Sequence, residues 1–255
     1  MQAPEALRAL LEGALAEHVL PPELGGLEAP VRYALDGGKR VRGVVCLATT
    51  EAAGCPPREA LAAAAALECV HAFSLVHDDL PSMDDDDERR GRPSAHVAFG
   101  EAVALLAGDA LLAEAFRLAA TYEDPAIAAE LAAATVGMIG GQYRDITGSA
   151  EGLAELHRLK TGRLFVASVG LGTRVAGLDD REQAPWRAFG EELGLLFQIV
   201  DDVLDGDGYV VEVGVDAARR LASDCAGRAR ARLAEVDGAT EVLGQIVDEL
   251  AVRTT

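Results

Sequence analysis

The sequence predicts an all-α fold, a single-domain antiparallel helical bundle, and three observations predict it. Alanine and leucine dominate, aromatics supply only 4%, and β-branched runs are short, a composition that favours helix almost everywhere. Apolar residues recur at helical spacing from one end of the chain to the other. Glycine and proline fall between the periodic segments rather than inside them.

The first segment, 3–18, carries Glu5, Arg8 and Glu12 in an amphipathic pattern. It lacks the basic start and apolar core of a signal peptide. Pro21-Pro22 and Gly25-Gly26 separate it from segments at 27–35 and 41–53, and Gly54 to Pro57 precede the next, 58–79. This one is apolar nearly all round over Ala60–Ala66, as is Leu164–Val169 later, which marks helices buried in the middle of a large bundle. After Gly91 to Pro93 come 100–120, 126–146, 153–176 and 181–205; beyond Gly206 to Gly208 lie 216–236 and 240–251. No strand pattern interrupts them, and nothing reads as a linker. An antiparallel bundle brings the ends of distant helices to one rim.

Half of the 255 residues are hydrophobic, enough for a sizeable core. A net charge of −19 argues against nucleic acid, whose phosphates need a basic face. No stretch approaches the roughly 18 uncharged apolar residues of a membrane span. Cys46, Cys55, Cys69 and Cys225 have no CxxC spacing, which fits a reduced, cytoplasmic setting.

Two aspartate clusters end apolar segments: His77-Asp78-Asp79-Leu80-Pro81-Ser82-Met83-Asp84-Asp85-Asp86-Asp87 and Gln198-Ile199-Val200-Asp201-Asp202-Val203-Leu204-Asp205. Carboxylates this close repel one another and resist burial, so they call for a cation. Oxygen ligands without grouped His or Cys point to Mg²⁺ or Ca²⁺. Asp201 and Asp205, four apart, share a helix face. Pro81 disfavours continuation of the helix ending at Asp78-Asp79 and can bend Asp84 back toward Asp78; Asp85 to Asp87 read as plain surface charge. Only two lysines stand against 21 arginines: Lys39, in Gly37-Gly38-Lys39-Arg40-Val41-Arg42, and Lys160, before Thr161-Gly162. A compact point charge suits phosphate differently from a planar fork, and with Arg89-Arg90 these loci make a diphosphate site. His71 lies two helical turns before Asp78 on nearly the same side; His77 reads as a satisfied core residue.

Taken together, GGKRVRG (37–43), HAFSLVHDDLPSMDDDDERRGRPSAH (71–96), LAGDALL (106–112), GMIGGQ (137–142), KTG (160–162) and FQIVDDVLD (197–205) closely resemble the trans-prenyltransferases, the isoprenyl diphosphate synthases. The first aspartate motif, with two extra residues, is similar to that of the bacterial farnesyl diphosphate synthases. The resemblance implies a homodimeric bundle around a deep central cavity, with 1–255 as one polyprenyl synthetase domain. It implies Mg²⁺-dependent head-to-tail condensation of an allylic diphosphate, dimethylallyl and then geranyl, with isopentenyl diphosphate, giving farnesyl diphosphate. By resemblance, Asp78, Asp79, Asp84, Asp201, Asp202 and Asp205 bind Mg²⁺, three ions once substrate is present. Arg89, Lys160, Thr161 and Gln198 hold the allylic diphosphate; Lys39, Arg42, His71 and Arg90 hold isopentenyl diphosphate. Phe73 and Ser74, just before the first motif, form the floor that sets product length, so Phe73→Ala is expected to lengthen the product. Geranyl or geranylgeranyl products, or a non-catalytic subunit of a heteromeric synthase, are the alternatives, although such subunits commonly lose one aspartate motif. A terpene cyclase would carry a mixed Asn/Ser/Glu motif in place of 201–205, and a Ca²⁺ module would leave Lys39, Arg42 and Lys160 unexplained.

The chain departs from the family pattern in three places. The glycine-rich loop with a further lysine that follows the second motif is missing after Asp205. Active-site loop residues are absent after about 148 and 206; a genuine deletion there would weaken closure over the allylic diphosphate. Gly43 stands where a proline is expected.

Overall fold

The computed structural model describes residues 2–253. Thirteen helices are formed among them: α1 (Pro4–Glu17), α2 (Glu28–Leu35), α3 (Val41–Ala52), α4 (Leu61–Asp78), α5 (Ala95–Phe99), α6 (Glu101–Ala119), α7 (Pro125–Thr147), α8 (Leu153–His157), α9 (Arg163–Val175), α10 (Asp180–Asp205), α11 (Gly208–Val213), α12 (Val215–Leu233) and α13 (Glu241–Val252). Local chemistry sets their ends. Asp124 caps α7 ahead of Pro125, Asp179 and Glu182 form a reciprocal capping box on α10, and Gly148 and Gly206 close α7 and α10 in left-handed conformation.

The long segments lie where periodicity puts them, with one internal change. The predicted helix 153–176 is broken at Arg158–Gly162 by a single wide turn of π type, a device that re-aims side chains. Three small features carried no periodicity: α5, α11 and a hairpin of two-residue strands, Glu88–Arg89 and Arg92–Pro93. The hairpin corrects the expectation of no strand. Its turn residues Arg90 and Gly91 both have positive φ (57° and 74°), the geometry of the tight turns that match strand twist.

Helices α3, α4 and α9 form the centre: α4 packs on α3 and α6, and α9 is clasped by α3, α7 and α10, with α12 outside α10. Residues 57–78 are long and apolar enough to cross a membrane, contrary to expectation, but 67% of that apolar window is buried inside the fold. It is the core helix of the bundle. Gly43, at the start of α3, donates its N–H to Glu68 Oε1 of α4 at 2.9 Å, a bond that the expected proline has no hydrogen to make.

Candidate functional site

Helix α4 ends at Asp78, and Pro81 two residues past its cap turns the chain. The Asp84 N–H then donates to the Asp78 carbonyl at 2.9 Å, so the first and last carboxylates of the motif stand together. Burial pushes the Asp78 carboxyl up to about 6, reinforced by Asp84 and Asp79 and opposed by Lys160 and Arg89. Asp79 is placed differently. It is 2% exposed and accepts from Arg89 Nε at 2.9 Å and from Nη2, while Arg89 also reaches Asp86. The hairpin carries Arg90 back over Gly38, where a Cβ would lie 2.8 Å from the guanidinium. The glycine before Lys39 therefore makes room for the second basic pair.

At the end of α10, burial and Asp205 push the Asp201 carboxyl up to about 6, opposed by Lys39, Arg42 and Arg253. Asp202 is 2% exposed and accepts from Gln198 Nε2 at 2.7 Å and from the Tyr209 N–H at 2.8 Å. Asp79 and Asp202, expected among the metal ligands, accept these hydrogen bonds from protein donors. Thr161 donates to Gln198 Oε1 at 2.6 Å. After Asp205, where the family's lysine-bearing loop is missing, the chain passes through Gly206 and Asp207 into α11, which supplies Tyr209.

Beside Asp78 lies a cavity of about 370 Å³ lined by Arg42, His71, Asp78, Lys160 and Thr161, and by the largely apolar set Phe73, Ser74, His77, Met83 and Met138. Arg42 is 9% exposed. Its guanidinium carbon sits 4.9 Å and 5.6 Å from the ring centres of Phe165 and Phe197, and Nε has no partner. Burial, with Arg42 and Arg90 nearby, holds the His71 imidazole well below its usual range; it is a neutral ring at pH 7. Phe73 packs edge-on against His77 at 4.8 Å, and Ser74 donates to the His71 carbonyl. His77 is satisfied by the Leu105 carbonyl at 3.0 Å. Lys39 does not line this cavity. It lies in an adjoining pocket of about 220 Å³ with Arg8 and Arg253, between α1, α3 and α13.

Sequence reasoning missed two polar groups on α7. Gln142 enters the cavity with both amide atoms lacking partners, and Asp145 accepts from Lys160 Nζ at 2.6 Å. The signal was available: Met138, Gln142 and Ile146 recur every four residues, with Ile139 and Tyr143 beside them, so one face of α7 forms a wall.

Among the described residues, no three His, Cys, Asp or Glu side chains form a ready-made metal cage. The donor set nevertheless fits Mg²⁺. Asp78 and Asp201 are half-buried carboxylates whose ionisation is opposed, and Mg²⁺ is held through one or two carboxylates with water and phosphate oxygens completing its shell.

The polyprenyl synthetase family model matches residues 25–218. The farnesyl diphosphate synthase of Geobacillus stearothermophilus is 42% identical over 74% of this chain and 69% of its own, and that of Escherichia coli K12 is 40% identical over 86% of both. The geranylgeranyl diphosphate synthase of Cyanophora paradoxa is 44% identical over 69% of this chain and 64% of its own. Among solved structures, a geranyltransferase from Helicobacter pylori superposes with a TM-score of 0.85 at 30% identity, covering 98% of this chain and 96% of that one.

Proposed function

Because this chain belongs to the polyprenyl synthetase family, we propose that it condenses allylic diphosphates with isopentenyl diphosphate head to tail and stops at the fifteen-carbon farnesyl product. One observation carries the proposal: Asp78, to whose carbonyl the Asp84 N–H is bonded beyond α4, lines with Lys160, Thr161 and Arg42 a cavity that also takes in Phe73 and other apolar side chains. An ionisable head group and a greasy tail are the two halves of an allylic diphosphate.

Asp78, Asp84, Asp201 and Asp205 would hold Mg²⁺, which when bound neutralises charge on the leaving diphosphate. Lys160 and Arg89 add positive charge at the same end, and the apolar walls exclude water, which strengthens every such interaction. The allylic carbon–oxygen bond breaks with its electron pair leaving on diphosphate. The isopentenyl double bond then attacks the allylic cation, forming the new carbon–carbon bond, and loss of a proton restores an alkene. No side chain lining the cavity stands out as a base, so the released diphosphate takes that proton. His71, held neutral, and the basic residues Arg42, Lys39 and Arg90 are suited to the isopentenyl diphosphate. Exposed apolar side chains on α5 to α7, including Val97, Leu106 and Val136, support a second copy of the chain as the partner there, and four unpaired cysteines support a reducing cytoplasm.

Incubation with Mg²⁺, isopentenyl diphosphate and each allylic diphosphate in turn, followed by phosphatase and sizing of the alcohols, is expected to show mainly the C15 product and none in EDTA. Phe73→Ala should shift it to C20 or longer. Failure to elongate any primer overturns the function, and unchanged C15 output from Phe73→Ala overturns the floor. Because relatives of both chain lengths match about equally well, a wild-type C20 product is the second reading.

A further inference from the structure

We propose that Asp202 and His157 are positioning residues that polarise a hydrogen-bond chain, so that it presents oxygen lone pairs to the cavity where the allylic cation forms, and that Asp202 is not a metal ligand. This rests on the prenyl-transfer reading above. An ionised carboxylate only accepts hydrogen bonds. Asp202 therefore dictates that the amide of Gln198 turn its NH₂ inward, at 2.7 Å, and its Oε1 toward Thr161. Oε1 in turn takes the Thr161 hydroxyl hydrogen, leaving the lone pairs of Thr161 Oγ1 for the cavity that this residue lines. With the amide reversed, Thr161 would lose its acceptor and hydrogens would face a developing positive charge.

The anchor itself is held from behind. The Tyr209 N–H donates to Asp202 Oδ2, and His157 Nδ1 lies 3.9 Å from that same oxygen. His157 is 9% exposed, Nδ1 has no partner, and its ring packs edge-on against Tyr209 at 5.3 Å. A buried ring nitrogen without a partner is costly, and here the nearby Asp202 Oδ2, at 3.9 Å, lies beyond the roughly 3.2 Å limit of a normal hydrogen bond. His157 also leads directly into the π-type turn that carries Lys160 and Thr161.

The test compares Asp202→Asn, His157→Phe and His157→Asn with wild type and Asp201→Asn. Two readouts are used: steady-state kinetics, and Mn²⁺ binding in the presence of inorganic diphosphate, followed by electron paramagnetic resonance. Asp202→Asn and His157→Phe are expected to lower kcat about 10- to 100-fold with KM for isopentenyl diphosphate and Mn²⁺ affinity unchanged. His157→Asn, which restores an N–H near the Nδ1 position, should recover most of the loss. Loss of Mn²⁺ affinity in Asp202→Asn equal to that in Asp201→Asn would make Asp202 a ligand and overturn the inference. So would a wild-type kcat in His157→Phe, or equal impairment of His157→Phe and His157→Asn. A wild-type protein that elongates no primer instead overturns the functional reading, a different result, since the variants are scored against an active parent.

Discussion

Asp78 and Asp201 carry the sharpest residue-scale consequence. Both titrate at about 6 in the metal-free fold, against roughly 4 for an unfolded aspartate. Between those values the folded state binds more protons than the unfolded one, so stability falls as pH rises through that window. Above it, each charge opposes folding by on the order of 1 kcal/mol once solvent screening is allowed for. Asp78→Asn and Asp201→Asn should therefore each raise the Tm measured in EDTA at pH 7.5 by about 2–4 °C. That gain should shrink toward zero near pH 4, while both variants lose prenyl transfer by at least about 100-fold. Thermal melts at the two pH values check the first part and the product assay the second; an unchanged or lowered Tm at pH 7.5 would show that these carboxylates are not under strain.

At the scale of elements, the approach of α7 to the π-type turn decides where Lys160 stands. A Cβ at Gly141 would lie 2.5 Å from the Lys160 backbone nitrogen and 2.8 Å from its Cα. Neither atom can step aside as a flexible side chain would. Gly141→Ala is expected to cost about 1–3 kcal/mol, seen as a shift in urea midpoint, and to raise KM for the allylic substrate because Lys160 and Thr161 move with the turn. By contrast, alanine at Gly140, where only the far end of Arg144 comes within 3.3 Å, should be close to neutral and serves as the control. The motif GMIGGQ was visible in the sequence; that its last glycine is a spacer for the KTG turn was not, because the two segments meet only in the folded bundle.

For the whole molecule, the exposed apolar side chains on α5, α6 and α7 bear on assembly. Leu106 and Val136 are 50% and 70% exposed, on the helices proposed above to meet a second copy of the chain. Leu106→Arg and Val136→Arg should each break the proposed dimer into monomers in sedimentation velocity with the melting curve of the monomer fold preserved. Sedimentation of wild type as a monomer at micromolar concentration would remove the partner.

The order and type of the long helices were legible because each buries a stripe of fixed period, and a stripe is a property of neighbouring residues alone. Asp78, Lys160 and Thr161, singled out by their neighbours in sequence, do line one cavity. The hairpin at 88–93, the π-type turn and α11 were not legible, since two to six residues carry no period. Nor could the sequence separate Asp201 from Asp202, or Asp78 from Asp79. Adjacent residues on a helix end point in different directions, and only the packing around them decided that Asp78 lines the cavity while Asp79 is buried on Arg89, and that Asp202 rather than Asp201 accepts from Gln198 and Tyr209.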